Sequence, residues 1–234
     1  MIKIKKNMDK FITLFKIINN LTTETNIIFK KDGIHIKAIH PSNICFAAII
    51  INKSMFEEYE IENEITYLID IEKFVNIMNI VADKEMKIEI TEKGLIIKQG
   101  RKKFKLSYFD GINDDKPKPN IKTISKWKIN SNDFFKNIND LIIFNEIGTL
   151  EAKEELTIES KSNLVDGKII IDADKIESED SIAYYDIGIM NKINNIKQIF
   201  PEIRIGFSND EPIIMRGTTD DINFEFMLAS RVKE

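Results

Sequence analysis

The two histidines, His35 and His40, and the single cysteine, Cys45, are the side chains here best suited to metal ligation, proton transfer or nucleophilic attack. Their settings argue against all three chemistries. His35 falls in the middle of an alternating stretch, Ile34 to Ile39, and His40 ends that stretch before Pro41. Cys45 lies inside the apolar run Ile44-Cys45-Phe46-Ala47-Ala48-Ile49-Ile50-Ile51, where a lone thiol behaves as a small hydrophobe. Two histidines are too few for a histidine-rich metal site. There is no glycine-rich phosphate loop, no G-x-S-x-G, no C-x-x-C and no H-E-x-x-H. Carboxylates are plentiful, but they are scattered among lysines as on a solvated face, and no acid/base pair stands out. The expectation is a protein with no catalytic residues, no metal and no cofactor.

The remaining chemistry is charge. Arg101-Lys102-Lys103-Phe104-Lys105 is strongly basic, and Asp172-Ala-Asp-Lys-Ile-Glu-Ser-Glu-Asp180 is strongly acidic. The formal net charge is −4 and the pI is about 5.5. A protein that grips DNA by neutralising many phosphates is usually basic overall. If this chain works on DNA, its cations must be segregated on one surface, or its hold must not depend on tight contact.

Four segments carry the helical period. They are Met8 to Asn20 (Phe11, Leu14, Phe15, Ile18), Ile71 to Ala82 (Phe74, Ile77, Met78, Val81), Ser131 to Phe144 (Phe134, Ile138, Leu141, Ile142) and Gly188 to Phe200 (Ile189, Ile193, Ile196, Phe200). Ser131 is placed to cap the third. Short strand-like pieces fill the rest: Ile34 to Ile39, Ile65 to Ile69, Met86 to Thr91, Gly94 to Lys98, Phe104 to Tyr108, Leu156 to Glu159, Lys168 to Asp172, Ile203 to Phe207 and Phe224 to Leu228. The longest apolar run is far short of the roughly 20 residues that span a bilayer. Met1 to Lys6 has no apolar signal region. A soluble intracellular protein is expected.

The polar, proline-containing stretch Asp110 to Asn120 divides the chain, and the halves repeat. Thr66 to Ile80 aligns with Ile182 to Ile196 at an offset of 116 residues, which sets Asp70 on Asp186 and Ile77 on Ile193. Three matching strands follow in each half, among them Lys103-Phe-Lys-Leu-Ser-Tyr-Phe against Asn223-Phe-Glu-Phe-Met-Leu-Ala. This is a tandem duplication of an α+β domain, two helices on antiparallel sheets. The expected divisions are 1–109, a connector over 110–124, and 125–234.

This order of elements resembles the sliding clamps of the proliferating cell nuclear antigen (PCNA) family, in its archaeal and eukaryotic form. Local stretches support the resemblance: Ala38-Ile-His-Pro-Ser-Asn-Ile44, Glu211-Pro-Ile-Ile214 and Phe226-Met-Leu-Ala-Ser-Arg-Val232. The resemblance implies a head-to-tail trimer of two-domain subunits around duplex DNA, with DNA polymerase, a clamp loader and other clamp-binding proteins as partners. It implies work in the cytoplasm or nucleoid of an archaeon-like cell, or in a nucleus. A mixed or checkpoint-type ring and a non-DNA scaffold are the alternatives.

The resemblance also assigns residues. Lys10, Lys16, Lys73, Asn76, Asn79, Lys136, Lys192 and Lys197 would face DNA. The six lysines share their helices with four acids, Asp9, Glu72, Asp133 and Asp140, so the pore should touch DNA weakly. A partner-peptide pocket would draw on Ile39, Ile44, Pro119, Ile121, Pro212, Met227, Leu228 and Ala229. Subunits would meet along two strand edges. One holds Arg101, Lys102, Lys103, Phe104, Lys105 and Leu106. The other holds Ile169 and Ile171 and runs into Asp172 and Asp174.

Overall fold

The computed structural model describes residues 1–81, 85–109 and 121–232. The chain forms two compact units: Met1–Asn43 with Ala47–Lys116 and Thr219–Phe224, and Ile44–Phe46 with Pro117–Thr218 and Glu225–Glu234. The first half runs β1 (Ile2–Ile4), α1 (Met8–Asn19), β2 (Glu24–Lys30), β3 (Gly33–Ile39), β4 (Cys45–Asn52), β5 (Glu58–Tyr59), β6 (Ile65–Asp70), α2 (Ile71–Ile80), β7 (Met86–Thr91), β8 (Gly94–Gln99) and β9 (Lys102–Ser107). The second half repeats that order. It runs β10 (Ser125–Asn130), α3 (Ser131–Ile142), β11 (Ile147–Ala152), β12 (Leu156–Lys161), β13 (Asp166–Ile171), β14 (Ala173–Glu177), β15 (Ser181–Asp186), α4 (Ile187–Asn191), β16 (Glu202–Phe207), β17 (Ile213–Thr218) and β18 (Ile222–Leu228).

Strand pairing repeats as well. β1 pairs with β5 and β7, as β10 pairs with β14 and β16. β2 pairs with β3 and β6, as β11 pairs with β12 and β15. The fold is α+β and duplicated. Asp70 and Asp186, matched by sequence, do the same work: each carboxylate caps the following helix, accepting from Lys73 N and Ile189 N at 2.9 Å.

Alternation along the strands and the 3.6 period of the helices bury one face of each. Phe11, Leu14, Phe15 and Ile18 of α1 are all buried. Phe15 meets Phe74 of α2 with ring centroids 4.6 Å apart. Burying each such side chain contributes about 1.5–3 kcal/mol. Gly94 opens β8 at φ +127°, and a Cβ there would lie 2.1 Å from the Leu106 carbonyl oxygen. Only glycine lets β8 and β9 approach so closely at that point.

Two local expectations need correction. The cap of α3 is Asn130, whose side chain accepts from Asn132 N and Asp133 N. Ser131 is buried, and its hydroxyl donates to the Phe200 carbonyl at 2.6 Å. The fourth helix is broken: α4 stops at Asn191, and Asn194–Gln198 forms a 3₁₀ turn. Gly188 and three asparagines are poor helix formers. Here the asparagines bond side chain to side chain, Asn194 Nδ2 to Asn191 Oδ1 at 3.2 Å. Ile193, Ile196 and Phe200 are buried nonetheless. No helix among the described residues is long and apolar enough to cross a membrane.

Candidate assembly edges, helical face and peptide pocket

The hairpin β8–β9 follows from Gly100 at φ +54° in a two-residue turn, with Gln99 paired to Lys102. β9 ends the sheet β5-β1-β7-β8-β9, and β13 ends the sheet β13-β12-β11-β15. Arg101, Lys102, Lys103 and Lys105 are exposed, Phe104 is half-buried and Leu106 is buried. On β13, Ile171 is buried, Ile169 half-buried and Ile170 60% exposed. An exposed edge with bare backbone groups is a template for pairing.

The acidic run does not stay with β13. Asp172 follows the strand directly, but Asp174 lies on β14, opposite Lys128 of β10. Pairing with β10 is supported by the ion pair of Lys126 with Glu177 (2.5 Å) and by Lys175 Nζ, 5.8 Å from the Trp127 ring centroid. Sequence alone reads 172–180 as one acidic segment, whereas backbone pairing divides it between two sheets.

In each unit two helices lie side by side and turn their polar faces outward. Lys10 and Lys16 on α1, and Lys73, Asn76 and Asn79 on α2, are exposed. So are Lys136 on α3 and Lys192 just after α4, while Lys197 is half-buried. Lys73 is held by Asp70 at 3.0 Å, which cancels much of its field. Burial alone would raise the Asp70 carboxyl, yet the Lys73 backbone N–H and ammonium hold it below its ordinary value. Asn191 Nδ2 bonds Asn139 Oδ1 at 2.8 Å, so neutral amides occupy part of this face.

Six of the seven described pocket residues belong to the second unit. Ala229 N–H donates to the Ile44 carbonyl at 2.9 Å. Ile44, Ile121 and Pro212 are half-buried and Ala229 is exposed. Met227 and Leu228 are buried and belong to the core. Ser208 ties the segment 122–124, receiving Ile124 N–H and donating to the Lys122 carbonyl. Ser230 donates to the Asp210 carbonyl, and Arg231 pairs with Asp186 at 3.0 Å. These bonds draw the residues after Ile121, the turn before Pro212 and the end of β18 toward one another. Ile39 lies in the first unit. Pro119 lies outside the described residues.

One feature of the second unit escapes sequence reading. Lys128, Arg204 and Arg216 stand abreast on β10, β16 and β17 and line a depression of about 320 Å³ with Glu202 and Thr218. Glu202 pairs with Lys128 and Glu225 with Arg216, each at 2.7 Å. Among the described residues no cluster of His, Cys, Asp and Glu could hold a metal ion. His35 bonds Asp32, and His40 Nδ1 accepts from Ser42 N, which are local turn contacts.

Residues 4–97 match the family described as proliferating cell nuclear antigen, N-terminal domain. The chain is 26% identical over 244 aligned positions to the DNA polymerase sliding clamp of Nitrosopumilus maritimus, covering 96% of each. It is 25% identical to that of Thermofilum pendens, covering 93% of this chain and 94% of the relative. Among solved structures, PCNA of Entamoeba histolytica superimposes with a TM-score of 0.90 at 16% identity, covering 99% of this chain and 98% of that one. The PCNA2–PCNA3 complex of Sulfolobus tokodaii gives a TM-score of 0.87 at 21% identity, with 99% of both chains covered. A third neighbour, PCNA of A. fulgidus bound to the C-terminal region of FEN-1, gives 0.87 at 20% identity over the whole of both chains. With its duplicated α+β halves and with β9 and β13 each ending a sheet, this chain has the DNA clamp fold, and its first half is similar to the N-terminal domain of proliferating cell nuclear antigen.

Proposed function

We propose that this chain is one subunit of a sliding clamp, a ring of three copies closed head to tail around duplex DNA. The ring tethers DNA polymerase and other replication and repair enzymes as a processivity factor, and it performs no bond-breaking step. The observation that carries this reading is an asymmetry of edges. β4 and β18 have neighbours on both sides, whereas their counterparts by duplication, β13 and β9, each end a sheet. An interface that joins one kind of edge to the other is heterologous, and it closes into a ring if the rotation allows.

The helical face, with Lys10, Lys16, Lys73, Asn76, Asn79, Lys136, Lys192 and Lys197, is the surface assigned to DNA. Its cations are few and partly neutralised, which suits a linkage that is topological. The divisions 1–109, 110–124 and 125–234 are the proposed domains and connector. The pocket around Ile44, Ile121, Pro212 and Ala229 takes short apolar peptides by a few anchors. A clamp loader opens the ring, and the protein works wherever the cell keeps its DNA. The test is primer extension on a closed circular template with a family polymerase and loader. Long products only when the chain is present support the reading; product length unchanged by the chain contradicts it.

A further inference from the structure

We infer that two copies of this chain meet in one defined strand register, with Arg101 of one copy opposite Asp172 of the other and Lys105 opposite Lys168. This rests on the ring reading above and goes beyond it by naming which residues touch. The duplication serves as a ruler. Lys103-Phe104-Lys105-Leu106 corresponds to Asn223-Phe224-Glu225-Phe226 at an offset of 120. The hairpins agree, since Gln99 pairs with Lys102 as Thr219 N–H donates to the Ile222 carbonyl, with two residues between in each case. Ala48-Ile49-Ile50-Ile51-Asn52 corresponds to Lys168-Ile169-Ile170-Ile171-Asp172 at the same offset.

Inside the first unit, Asn52 N–H donates to the Asp221 carbonyl at 2.8 Å, and Ser54 Oγ donates to Asp221 Oδ1 at 2.6 Å. Transferring that bond by the common offset sets Asp172 N–H against the Arg101 carbonyl of the neighbouring copy. Following antiparallel strands from there brings Ile170 opposite Lys103, Ile169 opposite Phe104 and Lys168 opposite Lys105. The chemistry fits at three of these four positions. Arg101 and Asp172 are opposite charges. Ile169 and Phe104, both half-buried, complete each other's cover. Ile170, 60% exposed, receives the methylene stem of Lys103. Lys105 facing Lys168 is a like-charge pair, which is destabilising across strands. Glu151, 3.2 Å from Lys168 Nζ, offsets part of that repulsion.

The register therefore makes an asymmetric prediction about the basic edge: not every lysine on it helps. Lys105→Glu should tighten the assembly by about threefold to tenfold, while Arg101→Glu should loosen it and Arg101→Glu with Asp172→Arg should restore it. The direct test is disulfide trapping in the full chain. A bonded antiparallel pair has Cα atoms about 5.5 Å apart, inside the range that a disulfide spans. Arg101→Cys with Asp172→Cys should give covalent multimers under mild oxidation. Lys102→Cys with Asp172→Cys should not, because a shift of one residue turns the side chains to opposite faces. Trimers that cross-link through the shifted pair, or that Lys105→Glu breaks apart, would overturn the register and leave the ring standing. A chain that sediments as a monomer at every concentration overturns both.

Discussion

Substituting Lys16 by alanine removes one exposed cation from the outward face of α1 in every subunit. The structure bounds what that can do to DNA contact. Of the six helical lysines, Lys73 is engaged by Asp70 at 3.0 Å and Lys197 is half-buried, while Lys10, Lys16 and Lys136 are exposed. In a ring of three, losing Lys16 removes at most three phosphate contacts. Each contact contributes about 0.9 to the slope of log K against log salt, so the slope should weaken by no more than about 3. Retention on closed circular DNA should not change, because a closed ring is held by topology. The assay loads the clamp on nicked circular plasmid, washes across a salt series, and repeats the wash after linearisation. Wild type and the Lys16→Ala variant should stay on the circle alike and leave the linear form alike. A variant that leaves the closed circle in proportion to the salt slope would show that affinity does the holding, and the topological argument would fail.

Ile44→Asp should abolish binding of partner peptides and polymerase stimulation while leaving the assembly intact, because Ile44 is half-buried beside Ala229 and far in sequence from both strand edges; fluorescence anisotropy with a labelled peptide and sedimentation together check it. Gly94→Ala should lower stability by about 3 kcal/mol or more, since φ is +127° and the new Cβ would press on the Leu106 carbonyl; a shift in urea midpoint reads it. Stability should also fall in acid. Burial raises the Glu57 carboxyl, but the N–H groups of Lys6 and Lys5 outweigh it and hold Glu57 below 4.5, as Asp70 is held below 3.8. Groups whose folded pKa is depressed contribute stability above their unfolded value and lose it as pH falls through the folded one. The melting temperature should therefore be flat from pH 7 to about 5 and drop below about 4, and Glu57→Gln should lower the plateau and lessen the drop.

The duplication was legible because the matched residues do the same physical work: Asp70 and Asp186 cap helices, and Lys103 and Asn223 stand second in equivalent strands. Helical faces were legible wherever a 3.6 period was strong. What escaped the sequence was decided by pairing at a distance. The segment 172–180 reads as one acidic stretch, and only the ladder between β14 and β10 separates Asp174 from Asp172. Lys128, Arg204 and Arg216 are far apart in the chain and abreast only in the sheet. Ser131 suits a cap by type, but Asn130 precedes it and takes that role. Met227 and Leu228 are apolar, as pocket residues must be, and so are core residues; burial alone tells them apart.

Head-to-tail closure is the claim on which the rest depends, and solution mass tests it most directly. Sedimentation equilibrium over a wide range of concentration should fit one species at three times 27.2 kDa, dissociating to monomer on dilution without a stable dimer, because a heterologous interface is satisfied only when the ring closes. A stable two-fold dimer, or a monomer unchanged at the highest concentration, would contradict the account.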